Sequence, residues 1–133
     1  MPPNSRLTHV AMSVPEGTLT DAYRAQLLEF YGQILDWREI ESLRLPDRLT
    51  IAVGPSSYVN LRERPESMVT HGYEHFGVLV RSAEELRALW ATLDAEPDVE
   101  LEPLSTSDAG EGSFRFRYLL PMAVEAQFYA SLL

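Results

Sequence analysis

Two stretches of the chain share one pattern of hydrophobic and polar positions. Each begins with a histidine, after which large apolar residues occupy every second position, as in His9-Val10-Ala11-Met12-Ser13-Val14 and His75-Phe76-Gly77-Val78-Leu79-Val80. A period of two is typical of a β-strand with one buried face. The pattern predicts strands over 7–14 and 73–80, with both histidines on the face opposite the apolar one.

A helical period follows each of these strands. Apolar residues recur three and four positions apart between Asp21 and Leu35, and again between Leu86 and Leu93. This spacing places them on one side of a helix. Ser82 and Glu85 have the spacing of a capping box at a helix N-terminus. We therefore predict one amphipathic helix after each histidine-containing strand.

Strand-like segments complete each half of the chain. The first half has three of them between 37 and 64, and the second half has them at 99–104, 113–119 and 122–129, with a loop at 105–112. The polar segment 65–72 separates the halves. Each half thus follows the order β-α-β-β-β, and the predicted repeats are about 7–64 and 73–131 of a single domain, 1–133.

The polar residues repeat as well. His75 follows His9 by 66 residues, and Glu125 follows Asn60 by 65. Matched features at a constant offset indicate an internal duplication. Each unit is too small to bury its own sheet, so we expect an α+β fold. In it, the two βαβββ repeats pair into a curved, half-barrel mixed sheet with the helices on the outside and the four matched residues in the cleft.

Composition excludes several classes of function. The 133 residues carry a formal charge of −9 and include no cysteine, and all eleven basic residues are arginine. An acidic chain disfavours nucleic-acid and anionic-membrane partners, and these absences exclude thiolate and Schiff-base chemistry. No apolar run approaches the roughly 20 residues of a membrane span, and there is no signal-peptide core. We expect a cytoplasmic protein.

The chain resembles the vicinal oxygen chelate superfamily, which includes glyoxalase I, methylmalonyl-CoA epimerase, fosfomycin and bleomycin resistance proteins, and extradiol dioxygenases. The matching motifs are Leu7-Thr8-His9-Val10, Tyr73-Glu74-His75-Phe76-Gly77-Val78 and Ala123-Val124-Glu125. The resemblance implies metal ligands on the first and last strand of each half. By position these are His9, His75 and Glu125, with Asn60 as the candidate fourth. It also implies a homodimer that acts on a small molecule.

Two positions depart from the family pattern. Leu119-Leu120-Pro121-Met122 stands where family members often have an Asp-Pro-x-Gly turn before the final glutamate. Asn60 stands where glyoxalase I has a carboxylate, and a neutral amide there is more similar to the epimerase branch. Alternatively, this coordination position is left to water, as in the dioxygenases.

Two imidazoles and a carboxylate suit Fe, Mn, Co, Ni or Zn as a divalent ion with open coordination positions. Those positions can accept two substrate oxygens, whose developing charge the metal stabilises. We therefore predict a divalent-metal-dependent enzyme of the glyoxalase/dioxygenase type acting on a small oxygen-rich molecule, with Glu125 as the catalytic base. Isomerase or epimerase, lyase and dioxygenase activities stay open.

The alternative function is metal-free binding of a small molecule, or drug sequestration of the bleomycin-resistance type. It predicts an apolar, aromatic cleft rather than a metal centre. The candidate aromatic residues for that cleft are Tyr58, Trp37, Trp90 and Tyr129.

Three arginines bear on the substrate. Arg62 follows Asn60 by two residues, while Arg115 and Arg117 alternate with aromatic residues that would pack on a helix. Together with Tyr58, they are the predicted substrate contacts, and they favour a carboxylate, phosphate or enolate. The alternative is an exposed sheet surface. One of the arginines, rather than a metal, is also a candidate partner for a buried Glu125 carboxylate.

Overall fold

The structure, a computed structural model, describes residues 3–133. The chain divides into two compact units, one ending at Val69 and the other beginning at Thr70. This boundary lies inside the polar segment 65–72. Across the described residues, no helix combines the length and the apolar character needed to cross a membrane.

The first unit contains a four-stranded mixed sheet and one helix. Its elements are β1 (His9–Pro15), α1 (Asp21–Leu35), β2 (Arg38–Glu39), β3 (Arg48–Gly54) and β4 (Ser57–Arg64). The strand order is β1-β4-β3-β2, with β1 parallel to β4 and the other pairs antiparallel. One prediction was wrong here, because Glu41–Leu43 forms a 3₁₀ helix within a segment that was predicted to be strand-like.

The core of the first unit is apolar and includes one predicted cleft residue. Leu27 and Tyr31 of α1 are fully buried, as are most inward-facing residues of β3 and β4. Trp37 is only 3% exposed, and its ring stacks on Tyr31 at 4.6 Å. Trp37 is therefore a core residue of this unit, and its assignment to an aromatic cleft was wrong. Burial of such side chains contributes about 1.5–3 kcal/mol each.

An ion pair joins Glu39, the last residue of the short strand β2, to Arg44. Arg44 Nε lies 2.8 Å from Glu39 Oε2, and a second contact joins the same two groups. The Arg44 guanidinium holds the pKa of the Glu39 carboxyl below its ordinary value of 4.5. A carboxyl whose pKa is lower in the folded chain stabilises the fold above its unfolded pKa. This stabilisation is lost as the pH falls through the folded pKa.

We predict that Arg44→Gln raises the pKa of Glu39 and lowers the free energy of unfolding at neutral pH, because the carboxylate loses its cationic partner. The difference from the unsubstituted chain should shrink as the pH is lowered below 4.5. Urea unfolding across this pH range and a carboxyl NMR titration measure both quantities. A difference that does not change with pH would contradict the assignment.

In the part of the chain that the structure describes, the second unit contains a five-stranded mixed sheet, one α-helix and the 3₁₀ helix Ala130–Leu132. Its elements are β5 (His75–Leu79), α2 (Ala83–Asp94), β6 (Glu100–Leu101), β7 (Ser105–Thr106), β8 (Gly112–Arg117) and β9 (Ala123–Phe128). The order is β5-β9-β8-β6, with β5 parallel to β9 and β7 pairing with β8. The predicted loop at 105–112 was therefore wrong at both ends, which belong to β7 and β8.

Two helices and two open mixed sheets confirm the predicted α+β class. Both units begin with a strand and a helix, and both end with an antiparallel pair of strands whose last member lies parallel to the first. The two-residue strand β7 is an addition in the second unit, where it pairs with the start of β8.

The N-terminus of α2 has the predicted cap, with one difference. Ser82 Oγ accepts a hydrogen bond from the Glu85 N–H at 3.0 Å. The Glu85 carboxylate accepts from the N–H of Arg81 at 3.0 Å, one residue before the position expected for a capping box. The first interaction satisfies a backbone donor that a helix start leaves free, and the second binds the residue before the cap.

We expect Ser82→Ala to lower the free energy of unfolding by about 1 kcal/mol, because the Glu85 N–H loses its acceptor. Ser82→Asn is the matched control, since its side-chain oxygen can accept the same bond. Thermal unfolding of the three chains measures the effect. Equal midpoints for the Ala and Asn variants would show that this cap does not contribute.

Candidate functional site

The second unit brings together His75 and Glu125, two of the predicted metal ligands. The register of the parallel strands β5 and β9 places Gly77 opposite Glu125. His75 precedes Gly77 by two residues, so its side chain lies on the same face as Glu125 and diagonal to it. His75 Nε2 lies 2.8 Å from Glu125 Oε2, and the side chains are 22% and 20% exposed. The two groups form a sheltered pair that a small ligand can reach.

The His75 ring is held from its other side. Its Nδ1 atom lies 2.6 Å from the backbone carbonyl oxygen of Tyr73. A carbonyl oxygen only accepts hydrogen bonds, so Nδ1 carries the proton of this bond and Nε2 is the atom directed at Glu125. Metal-binding histidines commonly have this arrangement, with one nitrogen bound to a carbonyl and the other to the ion.

The pair fits the demands of a divalent ion. Metal–nitrogen and metal–oxygen bonds of about 2.0–2.2 Å place two ligands at right angles roughly 3 Å apart. His75 Nε2 and Glu125 Oε2 are 2.8 Å apart. A shift of a few tenths of an ångström would therefore let both atoms bind one ion.

A tight turn leads into His75. Gly72 has φ +93°, a conformation that favours glycine. The Glu74 carboxylate accepts a hydrogen bond from the backbone N–H of His71 at 2.8 Å. Its own backbone N–H and that of His71 hold the pKa of the Glu74 carboxyl below its ordinary range. Glu74 thus stabilises the turn that positions the histidine.

A cavity of about 380 Å³ lies beside the pair within the second unit. Most of its lining residues are polar or charged. They are Tyr73, His75, Glu102, Pro103, Ser105, Ser113, Phe114, Arg115 and Glu125. Of these, only the histidine, Arg115 and Glu125 were predicted as site residues. Glu102 and the two serines were missed because their place depends on the pairing of the short strands β6 and β7.

Arg115 lines this cavity and is bound by a carboxylate. Its Nε atom lies 2.6 Å from Glu102 Oε2, and Nη2 donates to Glu102 Oε1 at 3.1 Å. Its guanidinium lies 5.5 Å from the centre of the Tyr73 ring. Within residues 3–133, Glu125 is ion-paired with His75 and not with an arginine. The arginine partner considered for Glu125 was therefore wrong.

Arg117 contacts a turn. Its Nη1 atom donates to the Pro121 carbonyl oxygen at 2.6 Å and to Thr70 Oγ1 at 3.0 Å. The turn includes Leu119 at φ +60°, an uncommon conformation for a branched residue. The turn that departs from the family pattern is thus stabilised by Arg117 immediately before β9, the strand that carries Glu125.

The first unit collects the other predicted residues on one face of its sheet. His9 is paired in register with Tyr58, and their rings stack at 4.7 Å. Asn60 lies two residues along β4, and its Oδ1 accepts a hydrogen bond from Thr50 Oγ1 at 3.1 Å. Arg62, two residues further, lies 3.7 Å from Asp47. Trp90 and Tyr129, the other aromatic candidates, belong to the second unit.

The predicted ligands are therefore divided between the units, with His9 and Asn60 in the first and His75 and Glu125 in the second. Counting only residues 3–133, neither unit by itself holds three or more His, Asp or Glu side chains grouped for a metal. The pair in the second unit is the best-formed part of the candidate site.

No protein-family model matches this sequence, and no curated protein matches it. Solved structures match over nearly the whole chain. The fosfomycin resistance protein FosX from Listeria monocytogenes aligns with a TM-score of 0.67 at 17% identity, covering 95% of this chain and 94% of that one. The lactoylglutathione lyase from Agrobacterium tumefaciens aligns with 0.66 at 18% identity, covering 96% of each chain.

A glyoxylase/bleomycin resistance protein/dioxygenase domain from Frankia sp. EAN1pec aligns with a TM-score of 0.63 at 20% identity, covering 93% of this chain and 97% of that one. The chain has the vicinal oxygen chelate fold. This confirms, at the level of fold, the resemblance carried by the short histidine and glutamate motifs.

Proposed function

We propose that this protein is a divalent-metal-dependent enzyme of the glyoxalase/dioxygenase type that acts on a small oxygen-rich molecule. The observation that carries the proposal is the 2.8 Å pair of His75 Nε2 and Glu125 Oε2, with His75 Nδ1 bound to a backbone carbonyl. Fe, Mn, Co, Ni and Zn all suit an imidazole and a carboxylate. FosX, which shares the fold, has been crystallised with Mn(II) and sulfate.

Each proposed residue has a distinct role. His75 and Glu125 hold the ion, with His9 as the third ligand and Asn60 as the candidate fourth. When bound, the ion supplies positive charge that stabilises negative charge developing on substrate oxygens. The Glu125 carboxylate also removes or returns a proton on the substrate, as a general base beside a carbon acid does. Among isomerase or epimerase, lyase and dioxygenase activities, the reaction class stays open.

The substrate contacts differ in how free they are. Arg115 lines the cavity and is the one of the four that does so, and its guanidinium is ion-paired with Glu102. Arg117 donates to the Pro121 carbonyl oxygen in the turn before β9, and Arg62 lies beside Asp47. Tyr58 stacks on His9. We propose all four as substrate contacts. We also propose that the chain forms a homodimer. The polar lining of the cavity supports this function over the aromatic cleft that a drug-sequestering protein requires.

Metal content tests the proposal. The purified chain is stripped with chelator, dialysed against Mn(II), Fe(II), Co(II), Ni(II) or Zn(II), and assayed by elemental analysis. We expect one ion per chain, and an affinity at least about 100-fold lower in His75→Ala and in Glu125→Gln, because each loses a direct ligand. His71→Ala is the matched control, since His71 is exposed and does not line the cavity.

Two results would overturn the proposal. One is the absence of stoichiometric metal in the unsubstituted chain with all five ions. The other is metal content that is unchanged in His75→Ala. His9→Ala tests the third ligand separately, and an unchanged affinity in that variant would remove His9 from the set.

A further inference from the structure

We infer that Glu102 sets the charge of the ligand that the cavity accepts, and that the preferred ligand is a small chelating molecule with a single negative charge. This inference rests on the proposed metal centre at His75 and Glu125. It adds a specificity-determining residue that lies outside the proposed ligands and substrate contacts.

The backbone fixes Glu102 beside Arg115. Glu102 follows β6, and its N–H donates to the Arg115 carbonyl oxygen at 2.9 Å. Its carboxylate then binds the guanidinium through two contacts, at 2.6 Å and 3.1 Å. The Arg115 side chain is 27% exposed and that of Glu102 is 51% exposed, so the guanidinium is the more shielded of the two groups. The positive charge facing the cavity is therefore balanced before any ligand arrives.

The balance of charges determines which ligand fits. Glu102, Glu125 and Arg115 line the cavity together with His75. With His75 in the neutral form that binds a metal, these groups carry one net negative charge. A divalent ion bound by His75 and Glu125 changes this to one net positive charge. A monoanion neutralises that charge. A dianion would leave its second carboxylate without a cation to pair with, and burying an unpaired charge is costly. Without Glu102, the metal-loaded cavity would carry two positive charges and would favour a dianion.

The cavity is small enough for this balance of charges to affect a bound ligand. A sphere of 380 Å³ is about 9 Å across, which is within the Debye length of about 8–10 Å in ordinary buffers. Screening therefore does not remove the effect of a single lining charge on a ligand. The hydroxyls of Ser105 and Ser113 also line the cavity and can bond uncharged ligand oxygens.

Lactate and malate provide a matched pair of probes. Both carry a hydroxyl beside a carboxylate, and malate adds a second carboxylate. Each is titrated into the Mn(II)-loaded chain, and its dissociation constant is measured from the water proton relaxation of the bound ion. We expect lactate to bind at least as tightly as malate. In Glu102→Gln, the affinity for malate relative to lactate should rise on the order of tenfold.

Glu100→Gln is the control. Glu100 lies on β6, is 80% exposed, contacts Arg117 at 3.7 Å and does not line this cavity, so the ratio should stay within about twofold. Arg115→Gln should shift the ratio in the opposite direction. It also keeps the test decisive if Glu102→Gln fails to fold.

The outcomes separate this inference from the proposed function. Mn(II) binding that is unchanged in His75→Ala and in Glu125→Gln overturns the proposed function. When Mn(II) binding is normal, three results overturn the inference alone. They are that neither acid binds, that the unsubstituted chain prefers malate, or that Glu102→Gln shifts the malate-to-lactate affinity ratio no more than Glu100→Gln does.

Discussion

Replacing Arg24 by methionine should lower the free energy of unfolding by about 3–4 kcal/mol, since hydrogen bonds from a charged donor contribute about 1.5–3 kcal/mol each and do not add fully. Arg24 lies on α1 and is only 6% exposed. It donates to the carbonyl oxygens of Leu19 at 3.0 Å, Leu45 at 2.7 Å, and Pro46 and Arg48 at 3.2 Å. One guanidinium thus ties the helix to the turn before β3.

A buried charge can sometimes be exchanged for an apolar side chain at little cost, because the desolvation penalty disappears with it. Arg24 differs from those cases. Its partners are backbone carbonyls, which no substitution elsewhere can remove. Arg24→Met leaves the carbonyls of Leu19 and Pro46 without this donor, and those of Leu45 and Arg48 with only the bond that each accepts from the other's N–H. The cost of these unsatisfied acceptors should exceed the gain from removing the charge.

Urea unfolding with a common m-value measures this effect. Arg38→Met is the control, because Arg38 pairs with Asp36 at 3.1 Å while their side chains are 75% and 79% exposed. That variant should change stability by less than about 0.5 kcal/mol. Similar unfolding midpoints for the two variants would show that the Arg24 network contributes little.

Arg24 also shows where a sequence pattern is insufficient. The helical period of α1 predicted an apolar stripe, and Leu27 and Tyr31 are indeed buried. The period counts only apolar residues, so it passed over an arginine on the buried side. Its burial depends on carbonyls from a turn about twenty residues away. No local pattern contains that information.

The long elements and their faces could be predicted because they depend on neighbouring residues. Alternation alone placed His9 opposite Met12 and Val14, and the latter two are buried while His9 is exposed. The same alternation, combined with the repeat, predicted that His75 and Glu125 would share a face. Their 2.8 Å contact follows from that parity and from the register of β5 and β9.

The short elements could not be predicted, because long-range pairing defines them. β6 and β7 have two residues each and exist only through their hydrogen bonds to β8. The Glu102–Arg115 pair depends on the same register. Opposite charges thirteen positions apart carry no signal until that register is known. The sequence therefore predicted Arg115 as a substrate contact or as a partner of Glu125, and Glu102 was missed.

A second large effect is expected at Gly112, the first residue of β8. A Cβ atom there would lie 1.9 Å from the Ser105 carbonyl oxygen and 2.8 Å from Thr106 Cα. Both are backbone atoms, so no side-chain rotation can relieve the overlap. Overpacking of this kind typically costs 1–3 kcal/mol. We expect Gly112→Ala to cost about 3 kcal/mol or more, because β7 must separate from β8.

Thermal unfolding and amide hydrogen exchange test this prediction, with Gly77→Ala as the control. A Cβ at Gly77 would meet only the Gln127 side chain at 3.4 Å, and that side chain can move. The Gly112 variant should lose exchange protection first at Ser105–Thr106, while the Gly77 variant keeps it.

Ser105 and Ser113 are paired in register beside Gly112 and both line the cavity. The close approach of the two backbones at Gly112 therefore holds the wall that faces His75 and Glu125. Retention of stability and of β7 protection in Gly112→Ala would show that this wall does not depend on that contact.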